Sequence, residues 1–260
     1  MVLESHGISY ENRKIDNMGL PADYSSNANV ICVTPSHQFP TGTIMPIGRR
    51  QELLRWANET GGYILEDDYD SEFKYQGRPI PPMKSMDVGD RIIYFGSFSK
   101  CLSPALRTSY MVLPKELTSR FDALKHLPGP TVPTLTQLTL ATFISKGHFQ
   151  RHLNRMRNLY RKRREAMVNT LNQWDFPHFI SGAEAGIHLL LHLPGFKKRK
   201  ELLNNISKHK INITVSDYRS ETAKSEESTL LLGFGSMNIE DIQNGLQLLL
   251  KTIESISQEE

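Results

Sequence analysis

Lys100 closes the segment Gly96-Ser97-Phe98-Ser99-Lys100 behind an apolar run, Ile92–Phe95, and Arg107 follows a short way on. A lysine directly after a buried strand is partly desolvated, which disfavours its ammonium form and frees a lone pair for covalent chemistry with a carbonyl. Lys100 is therefore a Schiff-base candidate. The upstream segment Tyr63-Ile64-Leu65-Glu66-Asp67-Asp68-Tyr69-Asp70 supplies what such a lysine needs if its partner is pyridoxal phosphate. Asp67 could hold the pyridinium proton, and Tyr69 could reach the ring hydroxyl. A phosphate needs hydroxyl and guanidinium donors, which Ser97, Ser99 and Arg107 offer. Taken singly, these residues have plainer readings: a solvent-exposed lysine, and an Asp67-Asp68 pair that forms a solvated turn or a Mg²⁺ site. The set is more specific than any of its members.

The elements that must position these groups are legible as apolar runs between turn residues. Val30–Val33 reads as a buried strand stopped at Thr34-Pro35. From Ile47, Leu53, Leu54, Trp56 and Ala57 recur at helical spacing up to Gly61-Gly62. Strands are expected at Tyr63–Leu65, Arg91–Phe95 and Tyr110–Leu113. Strands alternating with helices predict a largely parallel α/β sheet with flanking helices, whose functional groups gather beyond the carboxyl ends of the strands. Asp67, Tyr69, Ser97 and Lys100 all fall there. At the start of the chain, Ile8, Tyr10 and Ile15 suggest a further strand after a glycine stop at Gly7.

From Thr134 to Trp174 the pattern is helical with a break at Gly147, and Leu153, Met156, Leu159, Tyr160, Met167 and Leu171 form its apolar stripe. Arg151, Arg155, Arg157, Arg161, Lys162, Arg163 and Arg164 occupy the other face. A grip on a phosphate backbone is one reading of that face. The absence of interleaved aromatics favours a solvated helix face instead. Beyond Pro177, strands at Ile187–Leu193, Ile211–Val215 and Thr229–Phe234 with helices near Lys198–Lys208 and Ile239–Ile256 predict a smaller α+β domain. Residues 1–150 then read as a large cofactor-binding domain, and 151–260 as an interdomain helix with the small domain. Arg219–Ser228, rich in Ser, Glu and Lys, is expected to be a loop.

A net charge of +3 with 23% charged residues does not by itself argue for nucleic acid or a membrane as partner. Cys32 and Cys101 are too few for a disulfide framework, and Cys101 reads as a small core thiol. No apolar run reaches the roughly 20 residues of a membrane helix, so a cytoplasmic location is the expectation.

The order Asp67-x-Tyr69, Ser97-x-x-Lys100, Arg107 resembles fold type I pyridoxal-phosphate proteins, the aspartate aminotransferase superfamily. Within it, the stretches Val33–Gly42, Glu66–Phe73 and Gly96–Lys100 resemble the MocR-type branch of the GntR family of transcription regulators, in which a winged helix-turn-helix precedes an aminotransferase-like effector domain. The resemblance runs over nearly the whole chain. It implies Lys100 as the Schiff-base lysine, Asp67 on the pyridine nitrogen, Tyr69 on the ring hydroxyl, and Ser97 and Arg107 on the phosphate. Arg219 is the implied counterpart of an arginine that holds an effector carboxylate. It further implies a homodimer, a small amino-compound effector, and DNA bound through an N-terminal domain absent from this chain, which would be a piece of a longer protein. Where aminotransferases usually read Asn-Pro-Thr-Gly, this chain has Phe39-Pro40-Thr41-Gly42. Phe39 cannot bond the ring hydroxyl as asparagine does, which tilts the expectation from amino transfer between an amino acid and a 2-oxo acid towards sensing.

Overall fold

The computed structural model describes residues 2–22, 28–124, 132–208 and 228–258. After a one-turn helix α1 (Val2–Ser5) come β1 (Val30–Val33), α2 (Ile47–Thr60), β2 (Tyr63–Asp68), β3 (Ile92–Ser97) and β4 (Ser109–Val112). These strands form one sheet in the order β1-β2-β3-β4, parallel through β3, with β4 antiparallel to β3. The link from β3 to β4 is too short for a parallel crossover, so the last strand must run back along its neighbour. Leu53, Leu54, Trp56 and Ala57 of α2 pack on Ile31, Val33, Ile64 and Ile92 of the sheet. Gly61 ends α2 in the left-handed conformation.

The remaining elements are α3 (Lys115–Leu124), α4 (Thr134–Ser145), α5 (His148–Leu171), β5 (Phe179–Ser181), β6 (His188–Leu193), α6 (Arg199–Lys208), β7 (Ser228–Gly233) and α7 (Ile239–Gln258). β6 is the centre of a three-stranded antiparallel sheet, β5-β6-β7. Its leucines 189, 191 and 193, with Leu230 and Leu232, meet α5 and the buried face of α7, Ile242, Leu246, Leu249 and Ile253. Phe73, just beyond β2, and Cys101, next to Lys100, are buried in this second core and not in the first. The segments that follow β2 and β3 are thereby held against the small sheet. The fold class is that expected: a mostly parallel α/β sheet with flanking helices and a smaller C-terminal α+β unit.

Several expectations change. Residues 8–15 form no strand; Ile8 and Tyr10 are exposed, and the described residues offer them no ladder to join. The helix α3 and the three-residue strand β5 were not anticipated, whereas Gly147 does separate α4 from α5 with φ 70°. The basic face of α5 is not simply solvated. Arg157 donates to the Glu72 carbonyl, Arg163 to Gly235 and Arg164 to Ala183, so three of its guanidiniums bind backbone oxygens of neighbouring segments. Cys101 is buried, and burial pushes its thiol up to about 11, as a core thiol requires. The expected strand Ile211–Val215, Arg219 and the polar residues 219–227 lie outside the described residues; Ser228 opens β7.

Candidate functional site at the strand ends

Adjacent parallel strands carry Asp67 and Ser97 to one edge of the large sheet. In register, Asp67 pairs with Phe95 and Asp68 with Gly96, while Ser97 is the last residue of β3. Beyond the strand end, the Ser97 hydroxyl accepts from the Ser99 amide at 3.1 Å, which turns the chain so that Lys100 follows immediately. Arg107 sits at φ 46°, ψ 38°, a left-handed conformation uncommon for a residue with a side chain. Lys100, Arg107 and Asp67 are all exposed, and Ser97, Ser99 and Tyr69 half-buried. The desolvation expected to activate Lys100 is therefore not found among the described residues, because no apolar wall closes over its amine.

The charges at this edge are unbalanced in a particular way. Partial burial, then Asp68 and Asp70, hold the Asp67 carboxyl above the usual carboxylate range. Asp67 has no cation within salt-bridge distance among the described residues. The side chains of Lys100 and Arg107 likewise form no hydrogen bond or ion pair there. A carboxylate crowded by carboxylates is relieved by a cationic ring nitrogen, and a guanidinium and hydroxyls supplied by the segment that follows β3 suit a phosphate. These donors and acceptors fit pyridoxal phosphate.

Tyr69 is placed differently from the expectation. Its hydroxyl donates to the His37 carbonyl at 2.8 Å. Burial, then Asp70, Asp67 and Asp68, push the phenol above its ordinary value, so it remains a proton donor. His37 itself is buried: Nδ1 lies 2.9 Å from Asp70 Oδ2, Nε2 lies 3.3 Å from the Gly182 carbonyl, and its ring centroid is 4.6 Å from that of His188. His188 Nε2 faces the Pro40 carbonyl at 3.3 Å, and the exposed Phe39 ring stands edge-on to His188 at 5.6 Å. His37, Asp70 and His188 each bring one ligand-type atom within 4.8 Å of the others. The 2.9 Å contact is shorter than the roughly 3.4 Å between two ligands of a tetrahedral ion, and both His37 nitrogens already face oxygen acceptors, so the cluster is a hydrogen-bonded network.

Sequence reasoning quoted His37 and Asp70 inside motifs without giving them roles, and missed His188. The available signal was polarity out of place: a histidine opening the apolar run of β6 has to be satisfied by something. Burial, then the neighbouring His37, pull the His188 imidazole down to about 4. An unfolded histidine titrates near 6.5. Between those values the unfolded chain binds a proton that the folded protein refuses, so this contribution to stability is complete above about pH 6.5 and is lost as pH falls towards 4. The His188 share of that loss is about 3 kcal/mol. Urea unfolding at pH 7 and pH 4 should show a smaller acid loss in His188→Gln than in the parent; equal losses would refute the assignment.

The fold has counterparts among known proteins. The model of the aminotransferase class I and II family matches residues 4–247. The uncharacterized HTH-type transcriptional regulator YhdI of Bacillus subtilis (strain 168) is 42% identical over 228 residues, covering 87% of this chain and 48% of that protein. The probable rhizopine catabolism regulatory protein MocR of Rhizobium meliloti is 40% identical over 153 residues, 59% of this chain and 31% of that protein. This chain spans about half the length of YhdI and matches less of MocR. The α-aminoadipate aminotransferase LysN of Thermus thermophilus, solved with N-(5'-phosphopyridoxyl)-L-leucine, superimposes with a TM-score of 0.81 at 24% identity, over 94% of this chain and 65% of that one, and so shares the fold. The similar proteins thus include regulators that carry an aminotransferase-like domain. A family model running from residue 4 to residue 247 leaves little of the sequence outside it, and the chain belongs to the aminotransferase class I and II family.

Proposed function

We propose that this chain is the effector-sensing part of a transcription regulator, holding pyridoxal phosphate on Lys100 and responding to a small amino compound. The observation that carries the reading is the unbalanced set at the ends of β2 and β3: among the described residues, Asp67 has no cation within salt-bridge distance, and the side chains of Lys100 and Arg107 pair with no anion. When bound, pyridoxal phosphate supplies an aldehyde that captures amines and a ring that withdraws electrons while its nitrogen stays protonated. Lys100 would hold the aldehyde carbon. Asp67 would keep the ring-nitrogen proton in place, Tyr69 would offer a hydroxyl proton to the ring oxygen once released from the His37 carbonyl, and Ser97, Ser99 and Arg107 would bind the phosphate. Arg219, outside the described residues, pairs with the effector carboxylate. The regulator relatives support a role in transcription; DNA would be bound by another part of the whole protein, and two copies would pair as a homodimer. No helix of the described residues is long and apolar enough to cross a membrane.

An effector shifts a two-state protein only by its differential affinity for the two states. A primary amine that displaces Lys100 and a carboxylate that reaches Arg219 would together favour one placement of the small sheet over another. The test is to incubate the protein with pyridoxal phosphate, reduce it with borohydride and map the adduct by peptide mass. The adduct should sit on Lys100, disappear in Lys100→Ala, and diminish when an amino acid is added first, with no amine form of the cofactor released. An adduct that survives Lys100→Ala sinks the reading. Release of the amine form with turnover on a 2-oxo acid would make the protein an aminotransferase instead.

A further inference from the structure

We propose that His37 is a positioning residue through which the small sheet controls the Tyr69 hydroxyl, an inference that rests on the cofactor reading above and adds the path by which effector binding is transmitted. Tyr69 has a single hydroxyl proton. In this structure it goes to the His37 carbonyl at 2.8 Å, and not towards open space at the strand ends. Whatever holds the His37 backbone therefore decides whether that proton is available to a ring oxygen.

His37 is held from both sides of the junction. Asp70, the neighbour of Tyr69, takes its Nδ1, and the carbonyl of Gly182, in the turn between β5 and β6, takes its Nε2. There is no slack between them. The backbones of Gly42 and Gly182 cross so closely that a Cβ on Gly42 would lie 2.3 Å from the Gly182 Cα. On the same turn, a Cβ on Gly186 would lie 2.2 Å from the His37 ring and 2.4 Å from Asp70 Oδ2. His188, which heads β6, covers the remaining face of the His37 ring. Among the described residues, the hydrogen bonds and ring contacts of the His37 side chain beyond those to Asp70 and Tyr69 come from the small-sheet side, and a packed junction of this kind moves between discrete arrangements and does not deform gradually.

The consequence has a direction. With the turn 181–187 docked, His37 is clamped and its carbonyl keeps the Tyr69 proton. When the turn shifts, the Nε2 bond to Gly182 breaks, the His37 backbone is released, and Tyr69 is free to donate elsewhere.

Two measurements on the full chain test this. His37→Gln is the working variant, because glutamine can keep one of the two side-chain bonds and avoids leaving Asp70 buried alone. In the protein without cofactor, hydrogen exchange across residues 181–187 should speed up about tenfold in His37→Gln, the response to a lost anchoring bond, while Tyr69→Phe leaves it unchanged. Unchanged exchange in His37→Gln would overturn the clamp. In the protein loaded with pyridoxal phosphate, the pH midpoint of its visible absorption band should move by about one unit in His37→Gln, and should not move further when the same change is made in Tyr69→Phe. An equal shift in both backgrounds would show that His37 does not act through Tyr69. If no cofactor band forms at all, the cofactor reading fails by itself, and the exchange experiment still decides whether His37 clamps the turn.

Discussion

Arg50→Met should lower stability by about 4 kcal/mol, read as a fall in urea midpoint at unchanged denaturant slope. Arg50 is fully buried near the start of α2, and its guanidinium donates to three backbone carbonyls, those of Met45 at 3.0 Å, Pro81 at 2.7 Å and Pro35 at 2.9 Å. Burial pulls it below its ordinary value and the nearby Glu66 and Asp68 oppose that, but a guanidinium of this kind stays charged. Methionine matches the stem and removes every donor. The buried carbonyls of Met45 and Pro35 then each lose a donor, Pro35 keeping only the Met45 amide, while the exposed Pro81 can turn to water; Glu66 and Asp68 lose the cation that offsets them. Arg50→Lys, with a point charge in place of a planar fork, should recover only part of the loss. A change below about 1 kcal/mol would mean that water reaches these carbonyls and that Arg50 is not the tie it is taken to be. The effect bears on the site, because Pro35 begins the loop that carries His37 and Pro81 closes the loop that follows Tyr69.

Gly186→Ala should be the second large effect, and Gly195→Ala is its control. The two glycines have nearly the same backbone, φ 70° and 73°. Alanine in that region costs about 1–2 kcal/mol at either position. Around Gly195 a Cβ would meet nothing within 4 Å, whereas at Gly186 it would lie 2.2 Å from His37 and 2.4 Å from Asp70. Forced overpacking adds about 1–3 kcal/mol, so Gly186→Ala should lose about 2–5 kcal/mol and Gly195→Ala no more than the strain. Thermal unfolding of both variants checks this. Equal losses would show that the turn 181–187 yields, and that the His37 contacts are looser than the packing indicates.

Much of the architecture was legible before any coordinates. Apolar runs closed by Pro35, Gly61-Gly62 and Pro114 bound β1, α2 and β4 to within a residue or two, since proline and glycine end such runs through local backbone chemistry. The break at Gly147 and the stripe on α5 were equally plain. Residues 8–15 misled because alternation states which face a strand would bury, and not whether a partner strand exists. The arginines of α5 misled for a related reason: a charged helix face looks solvated until the carbonyls that approach it are known.

The strand-end set of Asp67, Ser97, Ser99, Lys100 and Arg107 was readable because adjacent strands and the turn after β3 carry it, and short-range geometry follows from local sequence. That Asp67, Lys100 and Arg107 stand exposed, with no cation on Asp67 and no apolar wall over Lys100 among the described residues, was not readable, because exposure depends on what else covers the edge. His37, Asp70, Gly182, Gly186 and His188 are the sharper case. By itself the sequence determined most of the strands and helices and which residues stand at the strand ends. Only the tertiary structure decided that a histidine after β1 would be clamped between an aspartate after β2 and a turn before β6, since contacts between segments so far apart in the chain are fixed by the packing of two sheets and leave no periodicity in any one of them.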